Sequence, residues 1–308
     1  MSHPTAPAVS ARGLTKIYGD TTVLDHIDFD IPSDTICGLF GRNGAGKTTI
    51  MSILTAQNFA TSGEARIFGE DPYENAGILS RMCFVRESQK YPDDAKPKHA
   101  FAIAKLFYPN WDDALAQQLI DDFRLPMTTR IKKLSRGQLS AVGVIIGLAS
   151  RAEVTFFDEP YLGLDAVARQ IFYDRLLADY AEHPRTVVIS SHLIDEIADL
   201  IEQVLVVDDT HIIIDESVDD LRGRAFTVVG PAAAVDEFTA GREELHRETL
   251  GPVASVTVLG TLTDDDRKAL SAAGLTTDSV SLQELIVRLT QHAGGRDLSD
   301  SLTKGALR

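Results

Sequence analysis

The stretch FGRNGAGKTT, residues 40 to 49, constrains this chain more than any other. An apolar run of strand type, TICGLF, leads into it, and IMSILTA, with helical spacing, follows. Three glycines within six residues let the main chain curl until successive N–H groups point inward. A helix starting there adds its N-terminal partial positive charge at the same point. Such a cradle suits phosphate. Gly41, Gly46, Lys47 and Thr48 satisfy the pattern Gly-x-x-x-x-Gly-Lys-[Ser/Thr], in which the lysine reaches the β- and γ-phosphates and the hydroxyl ligates Mg²⁺. Thr49 falls near the α-phosphate. The dinucleotide pattern Gly-x-Gly-x-x-Gly fails, because Thr49 stands where its last glycine belongs. The expected nucleoside triphosphate site runs through Gly41, Arg42, Asn43, Gly44, Ala45, Gly46, Lys47, Thr48 and Thr49.

A second stretch, EVTFFDEP (153–160), is an apolar strand ending in two carboxylates. Beside the cradle strand, Asp158 would hold the metal through water, and Glu159 would face the γ-phosphate as general base for the attacking water. The net charge of −15 disfavours nucleic acid and anionic lipid as partners, and RIKKLSR (130–136) is the one short basic candidate. The longest apolar run, AVGVIIGLA (141–149), is less than half of the ~20 residues that cross hydrocarbon. The N-terminus lacks a charged leader with an apolar core, so a cytoplasmic chain is expected. Cys37 and Cys83 sit in apolar runs and read as buried free thiols.

Three further motifs complete an order: LSRGQ (134–138), LGLD (162–165) and VVISSH (187–192). With the cradle and the carboxylate pair, this order resembles the nucleotide-binding subunits of ABC ATPases over about residues 9 to 222. The resemblance implies an α/β P-loop NTPase core, an antiparallel β layer and an inserted helical subdomain, about residues 90–135. It implies that the signature loop, Ser135, Arg136, Gly137 and Gln138, acts in trans on ATP held by a second subunit. One P-loop and no internal repeat occur here, so the second half must be another copy or a homologue. His192 matches the switch histidine that contacts the γ-phosphate, Asp165 the loop linking the two sites, and Tyr18 the aromatic that stacks on adenine. The family's Mg²⁺-sensing glutamine falls at Glu87 or Gln89 in MCFVRESQKYPDD. Arg136 replaces a common glycine and Ala141 a common arginine, yet cradle, metal ligand and base remain. The resemblance therefore implies an active ATPase using ATP and Mg²⁺, peripheral on the inner face of the cell membrane and powering a separately encoded permease. A soluble ABC ATPase without a permease is the alternative, as is a nucleotide-binding regulatory subunit.

Residues 9 to 36 read as short strands with turns at YGDT and IPSD, and from Tyr91 to Lys133 apolar spacing turns helical, broken at Pro109 and Pro126. In the family this helical part meets the membrane subunit; Phe107, Tyr108 and Trp111 could serve that contact or pack internally. Past Gly223 the motifs stop. Residues 225–295 alternate strand and helix character, as in a small α+β domain of split βαβ type, and residues 296–308 read as a flexible tail.

Overall fold

In a computed structural model, which describes residues 7–86 and 89–293, the chain opens with two antiparallel strands, β1 (Val9–Tyr18) and β2 (Thr21–Ile31). They are longer than the short strands expected from the sequence. β3 (Ile36–Gly41) leads through the glycine loop into helix α1 (Lys47–Leu54), and β4 (Ser62–Ile67) returns to pair with β1. The result is a three-stranded antiparallel layer ordered β2-β1-β4.

A short helix, α2 (Ala76–Leu79), precedes β5 (Met82–Arg86). The helical stretch then supplies α3 (Pro97–Phe107), α4 (Asp113–Asp122) and a 3-10 turn at Ile131–Lys133. Pro97 opens α3 where its missing N–H costs nothing, and Pro109 lies between α3 and α4. Next come α5 (Arg136–Ala149), β6 (Val154–Asp158), α6 (Ala166–Glu182), β7 (Thr186–Ser190), α7 (Ile194–Ile197), β8 (Gln203–Asp208) and β9 (His211–Ser217).

The second sheet is ordered β5-β6-β7-β3-β8-β9, and its first five strands run parallel. Every residue of β6 (VTFFD) and β7 (TVVIS) is buried, as expected of central strands covered on both faces. Register decides where the polar ends fall. Arg86 pairs with Asp158, Asp158 with Ser190, and Ser190 with Leu39, just before Gly41. Four parallel strands thus end in one row beside the glycine loop, the place where open α/β sheets bind ligands.

The chain divides into two compact units, Met1–His192 with Leu200–Asp215, and Leu193–Asp199 with Glu216–Arg308. The division lies upstream of the 222/225 boundary suggested by the motifs. The second unit contains α7 and α8 (Val218–Arg222), followed by β10 (Ala225–Pro231), α9 (Ala232–Thr239), β11 (Glu243–Leu250), β12 (Val253–Leu259), α10 (Asp264–Ala272), β13 (Thr276–Ser279) and α11 (Leu282–Ala293). Its sheet is ordered β11-β12-β10-β13 with antiparallel pairs, a split βαβ topology. Phe226, Val228, Val235, Val256, Val258 and Leu270 form its core. The proposed tail, 296–308, lies outside the described residues.

The aromatics of the helical part separate. Phe107 is exposed on α3, together with Ile103 and Leu106, which is 84% exposed. Trp111 faces Phe101, ring centroids 6.3 Å apart, and its indole N–H donates to Asp113. Tyr108 turns inward towards Cys83, and burial pushes its phenol well up. Both cysteines are free and buried.

Candidate active site

The glycine loop adopts a backbone that side chains resist. Gly41 has φ +148° and Gly46 φ +111°. A Cβ on Gly41 would lie 2.3 Å from the carbonyl oxygen of Val207, and one on Gly46 would lie 2.7 Å from Leu24. Only glycine fits both turns. Lys47, the first residue of α1, is 6% exposed; its Nζ donates to the carbonyl oxygens of Gly41 (2.8 Å) and Arg42 (3.3 Å) and sits 3.8 Å from Glu159. Burial lowers the Lys47 pKa, opposed by the charges of Glu159 and Asp158.

Asp158, buried at the end of β6, accepts a hydrogen bond on each oxygen, from Thr48 Oγ1 at 2.7 Å and from Ser190 Oγ at 2.8 Å. The Ser190 hydroxyl in turn accepts the Glu159 amide N–H at 2.9 Å. That bond helps hold Glu159 in a left-handed conformation, φ +50°, of the strained kind that clusters at functional sites. His192 follows β7, its Nδ1 3.4 Å from Glu159 Oε2 and 2.5 Å from the hydroxyl of Tyr161.

These groups share a cavity of about 500 Å³. Of the residues expected from the sequence, Asn43, Gly44, Gly46, Lys47, Thr48, Thr49, Asp158, Glu159 and His192 line it, joined by Arg86 and Leu162. Gly41, Arg42 and Ala45 are not part of the lining; the carbonyls of Gly41 and Arg42 accept from Lys47, and the Ala45 amide donates to the Arg42 carbonyl. Tyr18 lies outside the lining, 47% exposed at the end of β1, with Lys16 over its ring. Glu87 lies outside the described residues. Gln89 lines a separate niche with Tyr91, Leu139 and Ser140, which shares Arg86 with the cavity. Three participants were not singled out from sequence: Ser190, Tyr161 and Arg86. Arg86 donates through Nη1 to Gln57, and its buried Nε has no hydrogen-bond partner among the described residues. A roomier depression of about 670 Å³, around Arg151 and Arg185, lies at the N-terminal ends of β6 and β7, away from this chemistry.

Comparison with known proteins shows what this geometry is similar to. Residues 24–162 match the family model described as ABC transporter. Over those residues the chain is similar to the ABC transporter family. It is 28% identical to the bacitracin transport ATP-binding protein BcrA of Enterococcus faecalis over 71% of this chain and 73% of that protein. With the daunorubicin/doxorubicin resistance ATP-binding protein DrrA of Streptomyces peucetius it shares 26% identity, over 92% of this chain and 93% of that protein. That likeness therefore extends beyond residue 222, where the motifs end. Among solved structures, an ATP-binding subunit of an ABC transporter matches with TM-score 0.63 at 19% identity, over 70% of this chain and 92% of that one. A dimeric bacterial ABC transporter cassette matches with TM-score 0.61 at 19% identity, over 68% and 98%.

In this chain the signature residues stand apart from the cavity. Ser135 caps α5: its Oγ accepts the Gln138 amide at 3.2 Å, and Gln138 Oε1 accepts the Ser135 amide at 3.0 Å. Gly137 abuts the loop before α6, where a Cβ would come 2.6 Å from the Gly163 carbonyl oxygen. Asp165 caps α6, accepting from the Ala168 amide at 2.8 Å.

Among the described residues no group of three or more His, Cys, Asp or Glu is disposed to hold a metal ion. The oxygen pair of Thr48 and Asp158 fits Mg²⁺ nonetheless, because that ion is usually held by one or two protein oxygens together with substrate phosphates and water.

Proposed function

We propose that this chain is the ATP-hydrolysing subunit of an ABC transporter, closing as a dimer around two nucleotides and powering a separately encoded membrane permease. The observation that carries the reading is the unbroken polar chain Thr48–Asp158–Ser190–Glu159, set in one cavity with Lys47 and His192. Lys47 is already desolvated and exchanges carbonyl contacts for the β- and γ-phosphates. Thr48 and Asp158 would hold Mg²⁺, which when bound would supply charge neutralisation on the phosphates. Glu159 orients and deprotonates the attacking water, and His192 holds the γ-phosphate. Ser135 and Gly137 complete the site of the partner subunit, and Tyr18 stacks on adenine. Of the two candidates for the Mg²⁺-sensing position, Glu87 is favoured over Gln89, since Gln89 faces the neighbouring niche.

Transport is supported by the relatives named for bacitracin transport and for daunorubicin/doxorubicin resistance, and dimer closure by the dimeric cassette. No helix among the described residues is long and apolar enough to cross a membrane, and the reading assigns the permease to a second polypeptide. The exposed apolar residues Ile103, Leu106 and Phe107 on α3 are offered as its contact, in keeping with a subunit peripheral on the inner membrane face.

The decisive experiment is Glu159→Gln. The variant is expected to bind ATP and elute as a nucleotide-dependent dimer while steady-state hydrolysis stops. Full turnover by it would remove Glu159 from the chemistry. Affinity capture from detergent-solubilised membranes tests the partner, which should be an integral polypeptide with several apolar spans of ~20 residues.

A further inference from the structure

Tyr161 follows the carboxylate pair and is 2% exposed. Its ring meets the His192 imidazole edge-on, centroids 5.1 Å apart. Its oxygen collects several bonds. The His192 amide N–H donates to it at 3.0 Å, and the Ser191 side chain bonds it as well. A hydroxyl has two acceptor lone pairs and one proton. The His192 amide occupies one lone pair, and the hydroxyl's own proton is there to donate. Two acceptors are in reach, His192 Nδ1 at 2.5 Å and Glu159 Oε2 at 3.4 Å, and the shorter contact takes the proton. Burial pushes the phenol pKa up to about 12, so the donor keeps its proton at neutral pH.

We infer that Tyr161 is a positioning residue that fixes the tautomer of His192. A neutral imidazole that accepts at Nδ1 carries its hydrogen on Nε2. His192 then presents a donor to the cavity it lines, as a phosphate oxygen requires. The opposite tautomer would point a bare lone pair at an anion while Nδ1–H turned to Glu159. Tyr161 thereby keeps His192 from consuming the base and leaves the Glu159 carboxylate to the attacking water. The inference rests on the ATPase reading above and adds the group that sets its histidine.

The test is long-range ¹H–¹⁵N correlation of histidine-labelled full-length protein, at a pH where the ring is neutral, with the His192 signal assigned by its loss in His192→Ala. The native ring is expected as the Nε2–H tautomer. Tyr161→Phe keeps the ring packing and removes the donor, and its His192 is expected to shift towards Nδ1–H. In the same variant kcat is expected to fall about tenfold with KM for ATP changed less than about twofold. Tyr161 acting only through packing would leave tautomer and kcat unchanged. An Nδ1–H tautomer in native protein, an unshifted tautomer in the variant, or unaltered kcat each overturns the inference. The native spectrum decides even if the variant fails to fold. Failure of the ATPase reading shows separately, as full hydrolysis by Glu159→Gln.

Discussion

Ser190 is fully buried and satisfies two neighbours with one hydroxyl, donating to Asp158 and accepting from the Glu159 amide. Each partner depends on it differently. Asp158 retains Thr48 if Ser190 is lost, whereas the Glu159 N–H has no other acceptor among the described residues. A donor left unsatisfied costs about 1–3 kcal/mol, so Ser190→Ala is expected to destabilise the protein by that amount in urea unfolding. It is also expected to lower kcat more than ATP affinity, because the lost bond holds the φ +50° backbone that carries the base. Wild-type turnover in Ser190→Ala would show that the left-handed turn holds itself. Lys47, Thr48, Asp158 and Glu159 were all legible as motif residues, since phosphate chemistry demands those types at those spacings. Ser190 and Tyr161 were not, because their roles arise only when β6 and β7 pair with Asp158 opposite Ser190.

At the scale of elements, the glycine loop is bounded by strand pairing as much as by its ligand. Gly41 is paired with Val207 on β8, and the Val207 carbonyl oxygen occupies the space a side chain would need. Gly41→Ala therefore has to shift backbone against backbone at φ +148°. The expected cost is about 1–3 kcal/mol of stability, with nucleotide affinity reduced as well, read by thermal unfolding with and without ATP. An alanine variant with native melting in both conditions would contradict this packing. The same physics explains what the sequence left open. The continuous apolar runs VTFFD and TVVIS announce central parallel strands, and helical spacing announces α3 and α4. The placement of Gln89 in a niche with Tyr91, Leu139 and Ser140 is a tertiary arrangement, which no periodicity encodes. The split βαβ order of β10 to β13 could be guessed from alternation, but its strand pairing is a long-range property.

For the whole molecule the issue is how many chains make one site. Each cradle faces a cavity lined by its own β3, β5, β6 and β7 ends, while Ser135 to Gln138 are absent from that lining. If the signature loop acts on a partner's nucleotide, two different defects must complement one another. Lys47→Ala removes the phosphate-binding cation. Ser135→Asp keeps a side-chain oxygen to cap α5 but sets a negative charge against the partner's phosphates. Each homodimer then has two crippled sites, whereas a mixed dimer pairs one intact cradle with one intact signature loop. Random pairing makes half the dimers mixed, so an equimolar mixture is expected to recover up to about a quarter of wild-type turnover, each variant alone being close to inactive. Recovery requires that the two chains exchange, which is checked by differently tagged subunits co-purifying. Verified exchange without recovered hydrolysis would mean that each chain works with its own signature loop or with a different partner, and the shared-site dimer would have to be abandoned.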